Sequence, residues 1–121
     1  MANQDVTIYS LTRNTGVVCT PVAVTQTDLI ITPTKSCNKL VLIISTTNGA
    51  GCTVNIAAGG FWAKQALTQV TVANGVPQAF VFESARYSKY VVNTAGVVYD
   101  YRITVVLGTT ATTNYQCLQL P

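Results

Sequence analysis

The stretch VVYDYRITVVL, Val97 to Leu107, fixes the fold class of this chain. Its odd positions read Val97, Tyr99, Tyr101, Ile103, Val105 and Leu107, and its even positions include Asp100, Arg102 and Thr104. Such alternation marks a strand with one face buried and the other wet. Similar short segments recur along the rest of the chain with turn signals between them: Val6–Leu11, Val17–Val24, Asp28–Thr32, Leu40–Ser45, Cys52–Ala57, Leu67–Ala73, Gln78–Glu83 and Tyr90–Asn93. Asn48-Gly49, Asn74-Gly75 and Asn93-Thr94-Ala95-Gly96 supply the turns. Leu40–Ile44 is apolar at every position and too short for a helix, so it reads as a central strand buried on both faces. Pro21 lacks an N–H donor, which makes its segment an edge or bent strand.

Composition points the same way. The 121 residues include 19 threonines and 17 valines, β-branched residues that suit strands better than helices. The expected fold is an all-β, antiparallel sandwich of eight or nine short strands, jelly-roll-like or immunoglobulin-like. The immunoglobulin Cys–Trp–Cys pattern is not met, because Trp62 follows Cys52 but lies 55 positions before Cys117, and strand-C placement fails. Residues 1–121 read as one domain, with a polar lead-in at 1–5 and a C-terminal arm at 108–121.

Charge is scarce, at 9% of residues against roughly 25% in an average globular protein. A surface so poor in charge suits a chain covered by neighbours, since interspersed charge is what keeps monomers apart. The seven basic residues are scattered, with no run, so no nucleic-acid footprint is expected. No apolar run approaches the ~20 residues that span a bilayer, and no membrane partner is expected. Met1 reads as a native start without a signal peptide, which places synthesis in the cytoplasm.

Chemistry is equally constrained. There is no histidine, and the acids are Asp5, Asp28, Glu83 and Asp100. A serine or cysteine nucleophile therefore lacks its usual base. Glu83 and Asp100 each lie near an arginine, Arg86 or Arg102, and surface ion pairs account for them more simply than a carboxylate dyad. Gly49-Ala50-Gly51 precedes a strand rather than a helix, so it is no phosphate loop. Cys19, Cys37, Cys52 and Cys117 have no metal-ligand spacing and read as reduced structural residues. No catalytic residue, metal or cofactor is expected, and the chain is not read as an enzyme.

At Phe82-Glu83-Ser84-Ala85-Arg86-Tyr87, followed by a turn and the strand Val97–Leu107, the chain resembles small β-sandwich head decoration (auxiliary, or cement) proteins of tailed bacteriophages. The likeness extends to the overall style, which is short, rich in Thr and Val, and poor in charge. It implies a structural virion protein on the capsid exterior, made in the host cytoplasm. Such a protein binds the major capsid protein lattice and bridges capsomers, often as a homo-oligomer, with a trimer favoured. No contact motif is matched position by position, so no binding residue carries over from the family. The residues themselves nominate Trp62, Tyr87 and Tyr90 as exposed aromatics. They also nominate Tyr115, Leu118 and Leu120, which would suit an added edge strand or an arm on another chain. A carbohydrate-binding module, stacking sugars on Phe61, Trp62, Tyr87 and Tyr90, and a phage tail or fibre module are the alternatives.

Overall fold

The computed structural model describes residues 3–33, 39–57, 67–82, 88–92 and 99–121. Among them lie eleven strands: β1 (Asn3–Asp5), β2 (Ile8–Ser10), β3 (Val22–Ala23), β4 (Asp28–Ile31), β5 (Leu40–Thr46), β6 (Cys52–Ile56), β7 (Leu67–Val72), β8 (Gln78–Val81), β9 (Ser88–Val92), β10 (Tyr99–Leu107) and β11 (Thr113–Gln119). They form two sheets. The first runs β1-β4-β10-β6-β7, with β9 also on β10. The second runs β2-β11-β5-β8, with β3 also on β11.

Eight of these strands reveal the topology. Numbered one to eight in chain order, β3, β4, β5, β6, β7, β8, β10 and β11 give sheet orders 1-8-3-6 and 2-7-4-5. All six pairings within those orders are antiparallel. This is the jelly roll, two interlocked Greek keys, and it decides between the two sandwich types the sequence allowed. β9 is an extra strand in the connection before β10.

The N-terminal residues depart from the expected antiparallel plan. The polar lead-in is a strand, β1, and it pairs in parallel with β4. The chain then crosses to the other sheet, where β2 pairs in parallel with β11. At the crossing, the Val6 amide donates to the Ile30 carbonyl at 2.9 Å, and the Thr7 amide donates to the Tyr115 hydroxyl at 3.0 Å.

The core lies between the sheets. Leu29, Ile31, Ile103, Val105, Leu107, Cys52, Val54, Ile56 and Val72 face inward from the first sheet. Leu40, Leu42, Ile44, Phe80, Tyr115 and Cys117 face them from the second, with Phe82 just beyond β8. Ile103, Val105 and Leu107 of β10, the even positions of β6 and the Phe80–Phe82 pair sit where alternation put them.

Two expectations fail here. Leu40–Ser45 is central but buried on one face only: Leu40, Leu42 and Ile44 are enclosed, while Val41, Ile43 and Ser45 are half-exposed. A two-sheet sandwich has a single interior, so the second apolar face of β5 points out. The C-terminal arm is no arm. Residues 113–119 form β11, held by β5 along one side and by β2 and β3 along the other. Its inward residues are Thr113, Tyr115, Cys117 and Gln119. The two polar ones disguise the alternation. They are accommodated by hydrogen bonds: Gln119 Nε2 donates to the Lys39 carbonyl at 3.0 Å, and Thr113 Oγ1 lies 3.1 Å from Thr46 Oγ1.

Candidate interaction face

The two sheets differ in their charge. The strands of the first carry Asp5, Asp28, Lys89, Asp100 and Arg102. The strands of the second, IYS, VA, LVLIIST, QAFV and TNYQCLQ, carry none. Within the described strands, every outward side chain of the second sheet is therefore neutral.

Register arranges these side chains in rows. Directly paired residues share a face, so Tyr9, Leu118, Val41 and Val81 form one line across β2, β11, β5 and β8. Val81 is 66% exposed, and the other three are half-covered. The next row is Gln116, Ile43 and Ala79, and the next Asn114 and Ser45. The face thus grades along the strands from apolar to polar. At its polar end Ser45, Thr46, Thr47, Gly75, Pro77, Thr112 and Asn114 line an open cleft of about 230 Å³. The outer face of the first sheet contrasts: its rows include Asn55–Val106–Asp28 and Thr53–Thr71, with Thr104 and Arg102 along β10.

Beside the apolar row, Gln116 Nε2 donates to the Cys19 carbonyl at 2.6 Å and holds the segment before β3 against β11. Val18 in that segment is exposed. Cys19, Cys52 and Cys117 are free thiols. Burial pushes the Cys117 thiol up to about 12. A thiol so shielded is a core packing group rather than a nucleophile. No group of three or more His, Cys, Asp or Glu side chains among the described residues is placed to hold a metal ion.

Of the residues nominated from sequence, Tyr115 is corrected: it is 1% exposed, and its ring packs in the core with its hydroxyl on the Thr7 amide. It cannot meet a partner. Leu118 is an outward residue of the apolar row, but on an interior strand rather than an edge. Leu120 is exposed just past β11, with its amide donating to the Lys39 carbonyl at 2.7 Å. Tyr90 lies on β9 opposite Tyr101. Its side chain, like Trp62, Tyr87 and the Glu83–Arg86 and Asp100–Arg102 pairs, falls outside what the described residues cover.

Sequence reading missed Tyr9, Val41, Ile43 and Val81. The signal was available: a strand apolar at every position, in a fold with only one interior, must turn some of those residues outward. No protein-family model, curated protein or solved structure matches the chain.

Proposed function

We propose that this chain is a structural virion protein that decorates the exterior of a phage capsid, bridging capsomers of the major capsid protein as a homo-oligomer. The observation that carries the reading is the second sheet, which has no charged residue in any strand and an apolar row across its outer face. Neutral, partly apolar faces are costly to leave in water and suit permanent contact. Many copies on a lattice add weak contacts by multivalency. The jelly roll is used in viral capsid domains and in lectins alike, so the fold supports the reading without deciding it.

Contacts of this kind owe little to Coulomb energy, so salt should not release them. The test is co-sedimentation with empty expanded heads. Binding should stay nearly constant from low salt to ~0.5 M. Absence of binding, or release at moderate salt, counts against the proposal. A tail or fibre module would not co-sediment with heads. The cleft lined by Ser45, Thr47, Thr112 and Asn114 favours one second reading, carbohydrate binding. In that case the isolated domain should bind glycans on an array.

A further inference from the structure

We propose that the outer face of the second sheet pairs with the same face of a second copy of this chain, about a two-fold axis running along the strands between β11 and β5. This deepens the assembly reading by naming the occupant of its neutral face.

Electrostatics permits a like copy on this face and opposes one on the other. The chain carries a net charge of +3, so two copies repel in general. The strands of the second sheet bring no charge to the contact, whereas those of the first would set Asp28 and Arg102 against their equals. The nearest cation on the chain before β5, Lys39, has its Nζ 3.2 Å from the Pro121 carbonyl oxygen, drawn toward the chain's own terminus.

The gradient along the strands selects the axis. A two-fold axis across the strands would lay the apolar end of one copy on the polar end of the other, or leave the polar halves unpaired. An axis along the strands keeps each row at its own height. It sets Leu118 against Val41 of the second copy, Val41 against its Leu118, and Tyr9 against its Val81. Gln116 and Ile43 meet in the next row, and Asn114 and Ser45 in the last. Such an isologous contact closes on itself and does not polymerise.

The area sets the strength. The face is four strands wide, seven residues long on β5 and β11 but four on β8 and three on β2. At ~4.8 Å per strand and ~3.4 Å per residue that is roughly 340 Å² per copy. The pair buries roughly 700 Å², below the ~1,000 Å² expected of a stable specific interface. Pairing is therefore weak in dilute solution and is reinforced when copies are concentrated on a lattice.

Sedimentation velocity and light scattering over a concentration series test this. Wild type should pass from one chain mass to two. Leu118→Lys and Val41→Glu should each weaken pairing at least tenfold. An equimolar mixture of the two variants should restore it, because the introduced ammonium of one copy then faces the introduced carboxylate of the other. Thr71→Lys, on the other sheet, should change nothing. Both altered side chains point outward, and circular dichroism checks the fold. Val81→Lys, at the most exposed position of the row, replaces either variant that fails to fold. A wild type that stays monomeric, a mass of three chains, or an unaffected Leu118→Lys overturns the pairing. Head co-sedimentation separates the two proposals. A monomeric wild type whose head binding is lost in Leu118→Lys refutes self-pairing and retains the virion reading. A dimer that binds no heads does the reverse.

Discussion

Cys117 makes the stability of this protein depend on alkaline pH in a way that can be isolated. Its side chain is fully enclosed between the sheets, on β11 beside Leu42 of β5 and Ile8 of β2. Burial disfavours the thiolate and raises the thiol from 9.0 to about 12. Between those values the unfolded chain has released the proton and the folded chain still holds it. The unfolded state then binds fewer protons, so stability falls as pH rises. Below pH 9 both states are protonated and the contribution is complete. Above it, stability drops by about 1.4 kcal/mol per pH unit, reaching roughly 4 kcal/mol by pH 12. Set against a typical 5–15 kcal/mol for a domain, that is a large share. Lysines and tyrosines titrate in the same range, so the informative quantity is the difference between wild type and Cys117→Ala. Urea unfolding of both between pH 8 and 11 supplies it. The wild type's advantage should be constant to pH 9 and then shrink by nearly 3 kcal/mol by pH 11. Parallel curves across that range would refute the argument, because they would mean that the folded and unfolded thiols ionise together.

Two further substitutions probe the frame. Gly51 has φ +76°, and an added Cβ would lie 2.7 Å from the Val72 carbonyl oxygen. Gly51→Ala should cost about 2 kcal/mol or more in urea unfolding, whereas Gly49→Ala, with nothing within 4 Å, should cost far less. Tyr115→Phe removes the acceptor of the Thr7 amide. It should cost about 1–2 kcal/mol and speed hydrogen exchange at Thr7 relative to the centre of β5, which a general loss of stability would not do selectively.

Much of the framework was legible because local alternation reports burial directly. Ile103, Val105 and Leu107, and Cys52, Val54 and Ile56, face the core as their spacing requires. Turn chemistry was legible only in part. Gly75 takes the positive φ that Asn74-Gly75 foretold, but in the Asn48–Gly51 turn the positive φ falls on Gly51, whose amide donates to the Asn48 carbonyl at 2.9 Å. The strand β11 was hidden because two of its four inward residues, Thr113 and Gln119, are polar and take hydrogen-bond partners 67 and 80 positions away. The interaction face was hidden for a related reason. Tyr9, Leu118, Val41 and Val81 lie on four separate strands, and nothing local unites them.

Local propensity and period were enough to establish the all-β class, the positions of most strands and the inward residues of β6, β8 and β10. The poverty of charge is likewise written in the residues alone. The jelly-roll order, the parallel N-terminal pairings and the interior place of β11 arose only when the chain packed. Packing alone also gathered the charged strands, β1, β4, β9 and β10, into one sheet. Strand partnership depends on long-range hydrogen bonding and on which faces can share an interior. Those constraints operate between segments far apart in the chain, where residue-by-residue alternation has nothing to report.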